Sequence, residues 1–251
     1  MVQCLGIITI RNLKSESVDL VFADPPYNLG KNFDGLLDKY DQNNYKSWVK
    51  NWLKEIKRVT KPDASIYIMN STQNMPWVDL YARDHFEILC RIVWAYDSSS
   101  LQAKKFFGSA WEPILFMVRD KKNYTFNADS IAVPTKTGAE RKLVDYRKSP
   151  PNPYKKTKVP NNLWYIPRVR YKMKEYEVHP TQKPTALLER IIKASSKDGD
   201  VVLDVFSGTF TTGSVAKGLN RRTVSIEINT NYVDVGKRRL NFPSDLSPQI
   251  L

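Results

Sequence analysis

The sequence predicts a doubly wound α/β sheet, and three observations predict it. Short apolar runs alternate with amphipathic stretches of helical period along most of the 251 residues. One of those runs stops in Asp24-Pro25-Pro26-Tyr27, and another stops in Asp204-Val205-Phe206-Ser207-Gly208. Ligands of open α/β sheets sit beyond the carboxyl ends of the strands, so two such turns can face one another across a single crevice.

The elements follow in order. Val18-Asp19-Leu20-Val21-Phe22-Ala23 reads as a buried strand ending at Asp24. Between Asn44 and Val59, the residues Tyr45, Trp48, Val49, Trp52, Leu53, Ile56 and Val59 fall on one helical stripe, and these aromatics are expected in the core. Pro62-Asp63 is expected to end that helix, with a strand over Ala64–Met69. A helix near Thr72–Arg83, a strand near Phe86–Ala95 and a buried strand over Trp111–Val118 come next. Pro184 opens a helix with Leu187, Leu188, Ile191 and Ile192 on one face. Val201–Asp204 then forms a strand that turns at Gly208 into a helix, with Thr209, Thr211 and Thr212 available as caps. Thr223–Ile226 is a further strand, and a last helix near Asn231–Leu240 carries Tyr232 towards Glu227. The stretch after Phe242 reads as a loose tail.

Composition narrows the function classes. Hydrophobic content of 41% and charged content of 26% suit one sizeable globular domain with an insertion. Two cysteines, Cys4 and Cys90, give neither a disulfide framework nor a metal site, and His85 and His179 are too few for a metal cluster. With no long apolar stretch and no signal peptide, the expectation is a cytoplasmic protein that makes no use of a membrane.

The first turn has a specific chemistry. It sets a carboxylate, two prolines without N–H groups, an outward carbonyl and an aromatic face at a strand end. Asp24 and the Pro25 carbonyl can accept both hydrogens of an exocyclic amine while Tyr27 stacks on its plane, which suits a nucleobase amino group. The second turn is a glycine bend at a helix start, with Glu227 following at the end of the next strand. That arrangement holds a nucleoside and its ribose hydroxyls. No G-x-G-x-x-G cradle is present, so an adenosine cofactor without phosphates fits better than a dinucleotide.

The net charge of +13 is concentrated. Residues 135–178 carry 12 basic against 4 acidic side chains, interleaved with prolines, amides and aromatics including Trp164 and Tyr165. Lys155, Lys156, Lys158, Arg168, Arg170 and Lys172 are therefore the expected contacts to a polyanion whose bases are also touched.

Together with His179-Pro180-Thr181-Gln182-Lys183-Pro184, the two turns resemble the beta group of S-adenosylmethionine-dependent DNA amino-methyltransferases, whose motifs run in permuted order. The resemblance covers roughly residues 1–240, and the middle region is most similar to the MboII/RsrI type of restriction-modification enzyme. It implies a Rossmann-like methyltransferase sheet with a catalytic half over 1–120, an inserted target-recognition region over 121–178, a cofactor half over 179–242 and a tail over 243–251. It implies methyl transfer to adenine N6 of a flipped-out base in duplex DNA, with Asp24, Pro25, Pro26 and Tyr27 catalytic. S-adenosylmethionine would lie against Asp204, Phe206, Ser207, Gly208, Thr209, Glu227, His179, Thr181 and Lys183. Double-stranded DNA, a cognate restriction endonuclease and a second copy of the chain are the implied partners, and no metal is implied.

Two departures stand out. Phe210 occupies the position of the family's second glycine, and Leu5-Gly6-Ile7-Ile8-Thr9-Ile10 lacks the acid usual near the start. Cytosine-N4 transfer, transfer to RNA or protein glutamine, and an inactive DNA-binding relic blocked by Phe210 are the alternatives that the sequence leaves open.

Overall fold

The computed structural model describes residues 10–97, 104–135, 144–147 and 149–242. Cys4, the tail after Phe242 and all of the N-terminal run except Ile10 lie outside the described residues. The centre is a seven-stranded sheet. Its strands are β1 (Val18–Ala23), β2 (Thr60–Met69), β3 (Glu87–Ala95), β4 (Trp111–Val118), β5 (Leu163–Tyr165), β6 (Val201–Asp204) and β7 (Arg222–Ser225). They lie in the order β5-β3-β4-β2-β1-β6-β7, and β4 alone runs antiparallel to its neighbours.

The alternation of side chains along β1 explains the layering. Val21 and Ala23 point to one face, where they meet the stripe of α1 (Gln42–Val59), including Tyr45, Trp52, Leu53 and Ile56. Leu20 and Phe22 point to the other, against Leu187, Leu188, Ile191 and Ile192 of α3 (Thr185–Ser195). Helix α2 (Met75–Ala82) joins the first layer through Val78 and Ala82, and α4 (Thr211–Gly218) joins the second through Ala216. The last helix, α5, spans Thr230–Arg239.

Some boundaries differ from the sequence expectation. Helix α1 stops at Val59 because Thr60 turns to an extended backbone (φ −77°, ψ 139°) and bonds its hydroxyl to the Ile56 carbonyl at 2.9 Å. Pro62 therefore lies inside β2 and does not end the helix. Helix α2 starts at Met75, three residues later than its apolar pattern, with Pro76 in its first turn. None of the three threonines caps α4. Its N-cap is Phe210, in the left-handed region (φ 58°, ψ 37°), and no side chain bonds the first turn. The hydroxyls are used elsewhere: Thr212 donates to Asp204 at 2.5 Å, while Thr209 and Thr211 accept from Arg239.

The basic stretch is tied to the main sheet at one end. Leu163–Tyr165 pairs in parallel with Val93–Ala95 as the edge of the main sheet, and buried Trp164 donates its indole N–H to Asn161. Asn127 bonds the carbonyls of Lys193, Ala194 and Ser196 at the end of α3. The intervening chain forms short two-residue pairings, Val133–Pro134 with Thr157–Lys158 and Val144–Asp145 with Asn152–Pro153.

Candidate active site

Strands β1 and β6 lie side by side, with Phe22 opposite Asp204, so their carboxyl ends open together. Beyond them is a cavity of about 300 Å³, at the lower end of the range usual for small-molecule sites. Asp24, Pro25, Pro26 and Tyr27 line it from one side. Phe206, Gly208, Glu227, His179, Thr181 and Lys183 line it from the other. Asp204, Ser207 and Thr209 do not reach it; they surround a much smaller neighbouring void.

At the first end, Asp24 is held from two sides. Its Oδ2 lies 2.5 Å from Lys183 Nζ, and its Oδ1 accepts from the Tyr27 hydroxyl at 2.6 Å. The same hydroxyl sits 3.0 Å from Glu112 Oε2, and Lys183 reaches that oxygen at 3.7 Å. Glu112 is near the start of β4, and because β4 runs backwards its beginning stands at the edge where the parallel strands end. Burial alone would lower the Lys183 ammonium pKa, but Asp24 and then Glu112 hold it above its ordinary value, so the residue stays cationic. Burial, with Asp24 and Glu112 behind it, drives the Tyr27 phenol well above its usual range. The turn itself is pinned through its backbone: Tyr45 donates to the Pro26 carbonyl at 2.5 Å and Asn74 to the Tyr27 carbonyl at 2.7 Å.

At the other end, Glu227 accepts backbone N–H groups from Gly208 (2.7 Å), Ile228 (2.9 Å) and Asn229 (2.8 Å). A carboxylate has about four acceptor positions, so one is left for a ligand hydroxyl. Gly208 is needed for close approach. At φ +49° a Cβ there would stand 2.9 Å from His179 Nε2. The His179 ring packs edge-on to Tyr232 at 4.6 Å, and burial, then Lys183 and Lys31, push its pKa down to about 4, so it is neutral. Trp48, Trp52, Ile226 and Phe206 supply an apolar wall, with Phe206 against both indoles at 5.5 and 5.7 Å. Flat apolar walls, a glycine approach and a half-buried acceptor fit an adenosine-bearing cofactor.

Residues 28–40 cover the cavity. Asn28 brackets Tyr40 with two hydrogen bonds, and Asp38 accepts from the amides of Leu29 and Lys31. Gly30 and Gly35 adopt positive φ. A short pairing of Asn32–Phe33 with Leu36–Leu37 reaches the cofactor side, where Asn229 bonds the Phe33 carbonyl at 3.4 Å and Asn231 bonds Asp34 at 2.5 Å.

Phe210 does not line the cavity. Its ring lies over Gly236 of α5, so close that a Cβ on Gly236 would stand 2.3 Å from Phe210 Cγ. The blocked-cofactor reading thus has no geometric basis: the aromatic ring points away from the site, into a notch that a glycine provides.

Sequence comparison fits this geometry. The N6/N4 family model described as DNA methylase matches residues 18–238, which span both turns and everything between them. The chain belongs to the N6/N4 DNA methylase family. The methylase is 57% identical over 246 residues to the DNA adenine methyltransferase YhdJ of Escherichia coli (strain K12), covering 98% of this chain and 84% of that protein. It is 35% identical to the type II methyltransferase M.HpaI of Haemophilus parainfluenzae, covering 94% and 72%. Among solved structures, an M1.HpyAVI complex with S-adenosylmethionine (SAM) superposes with a TM-score of 0.64 over 94% of this methylase and 96% of that chain, at 23% identity. At that identity the likeness speaks for the fold. Among the described residues of the methylase, no three metal-ligating side chains cluster, and no helix is long and apolar enough to cross a membrane.

The basic residues spread over two places. Lys155, Lys156, Lys158 and Lys172 are exposed. Arg168 and Arg170 instead pack at the sheet edge, Arg168 over the Tyr96 ring at 5.0 Å and Arg170 on Asp97 at 2.6 Å.

Proposed function

We propose that this methylase transfers a methyl group from S-adenosylmethionine to the N6 atom of an adenine turned out of duplex DNA. The observation that carries the reading is that Asp24, a carboxylate at a strand end, opens onto the same cavity as Glu227 and Gly208. When bound, S-adenosylmethionine supplies a methyl group already activated on a sulfonium. Glu227 is suited to accept a ribose hydroxyl, Phe206, Trp48 and Trp52 to flank the adenine ring, and Gly208 to let the backbone pass close.

The other residues align the target amine. Asp24 accepts an N–H of the amine and takes the proton that the nitrogen sheds. Lys183 holds that carboxylate in place through its 2.5 Å contact with Oδ2. Tyr27 releases its hydroxyl from Asp24 and lays its ring on the base, offsetting part of the unstacking cost of a few kcal/mol. In this reading residues 1–120 serve catalysis, 179–242 serve the cofactor and the basic stretch over 121–178 serves DNA. The 57% identity to a protein named for adenine favours adenine over cytosine. A partner nuclease and a homodimer extend the proposal. The type II name of the Haemophilus relative supports the first, and sedimentation of the pure chain tests the second.

The test is transfer of labelled methyl to mixed genomic DNA, followed by nucleoside analysis. N6-methyladenine is expected from the wild type and none from Asp24→Ala, with cofactor and DNA binding retained. N4-methylcytosine would replace the adenine assignment, and full activity of Asp24→Ala would remove the mechanism.

A further inference from the structure

The loop that leads into β4 carries Lys104, Lys105, Phe106 and Phe107, followed by Gly108. Phe107 is 103% exposed and Phe106 is 67% exposed. Adjacent phenylalanines in water gain nothing from the fold, and exposed apolar groups of this kind mark contact surfaces. The foot of the loop is fixed, because the Tyr96 amide donates to the Ala110 carbonyl at 2.9 Å and Trp111 pairs with Ala95. Arg168 and Arg170 pack at the same foot, on Tyr96 and Asp97.

The loop also adjoins the catalytic end of the cavity. Glu112, five residues after Phe107, stands 3.0 Å from the Tyr27 hydroxyl. Five residues of chain reach at most about 17 Å, so one duplex can touch the phenylalanine tip while its base lies against Asp24. Two lysines precede that tip and two arginines stand at its foot, Arg170 paired with Asp97, so positive charge outweighs negative along the loop, as contact with a phosphate backbone requires. Turning a base out leaves a gap in the stack, and proteins that open base steps commonly fill the gap with an apolar side chain.

We infer that Phe107 is the wedge that enters the DNA stack where the target base leaves, with Lys104, Lys105, Arg168 and Arg170 holding the flanking phosphates. The inference rests on the methylase reading above. A wedge stabilises the flipped state, so its loss matters only where flipping is costly. The test therefore maps the adenines that the wild type methylates in genomic DNA, then builds duplexes around one such site with either thymine or an abasic position opposite the adenine. Phe107→Ala is expected to slow methylation about tenfold or more on the matched duplex and no more than about twofold on the abasic one, where the base is already unpaired. Phe107→Trp should behave like the wild type. Equal slowing on both duplexes, or none on either, overturns the wedge. So does a matched-only loss in Leu29→Ala, which removes an exposed leucine two residues after Tyr27, if Phe107→Ala lacks that loss. Absence of any methylation by the wild type would instead overturn the functional reading.

Discussion

Phe210 shows how a residue that breaks a family pattern can be compensated by a second one. Its left-handed backbone costs about 1 kcal/mol or more for a side chain with a Cβ. Its buried ring returns more than that, since removing a buried phenylalanine costs about 3–5 kcal/mol. The ring fits only because position 236 has no Cβ. Gly236→Ala is therefore expected to destabilise the protein, although alanine in a helix interior normally gains about 1 kcal/mol over glycine. In a Phe210→Gly background the same change should stabilise by about that amount, a reversal of sign that urea unfolding of the four proteins would reveal. Affinity for S-adenosylmethionine should be unaltered in Phe210→Gly, because the ring does not line the cavity. The sequence exposed the departure at Phe210 but not its partner, since Gly236 lies in another helix and nothing local marks it. Glu112 was hidden for a similar reason. Trp111-Glu112-Pro113 reads as the start of an apolar strand, and only the reversed direction of β4 brings its carboxylate to Tyr27 and Lys183. The one signal available was an acid opening an otherwise apolar run.

At the scale of elements, the β6–α4 turn couples folding to pH through two groups of opposite sign. Asp204 ends β6 fully buried. Burial, against hydrogen bonds from Thr212 and Phe206 and with the charges of Asp24 and Glu227 added, pushes its pKa up to about 7. The native state thus binds a proton that the unfolded chain releases near pH 4, and stability from this group falls as pH rises from about 4 to about 7. His179, packed on Gly208, is the reverse. With its pKa pushed down to about 4, the native state binds fewer protons than the unfolded chain below about pH 6.5, so its contribution rises with pH across that window. The two slopes oppose one another in the wild type. Asp204→Asn keeps the size and the acceptor for the Phe206 amide while removing the titration. Its Tm is expected to rise more steeply than that of the wild type between pH 4.5 and 6.5, and to exceed the wild-type value at pH 8. Parallel pH curves for the two proteins would mean that Asp204 does not hold the proton. This turn was readable as strand, glycine and helix because each has a local signature. The capping was not, because a hydroxyl that can cap a helix can equally bond a buried carboxylate or an arginine from another element.

At the scale of the whole molecule, the question is how a chain with a net charge of +13 meets a polyanion. The concentration of charge over residues 135–178 was legible as composition, yet the fold divides it. Leu163–Tyr165 is built into the sheet edge and carries Arg168 and Arg170 to the foot of the 104–110 loop, beside the catalytic end. Lys155, Lys156 and Lys158 are exposed at the short pairing of Thr157–Lys158 with Val133–Pro134, where the Lys155 and Lys156 carbonyls are tied to Thr135 and the Lys158 ammonium reaches the exposed Asn161 at 3.5 Å. The arginines already have partners, Tyr96 and Asp97, that hold them rigid, whereas exposed lysines act as point charges that release counterions on contact with phosphate. The two groups should therefore separate in a salt titration. Replacing Lys155, Lys156 and Lys158 by glutamine is expected to weaken binding to any duplex and to reduce the slope of log K against log salt by about 0.9 for each lysine that meets a phosphate, up to about 2.7 in all. Methylation of DNA already bound at low salt should proceed at the wild-type rate, because none of the three lines the cavity. An unchanged slope would take the duplex off this surface and point to the sheet edge, with its arginines, as the face along which it runs.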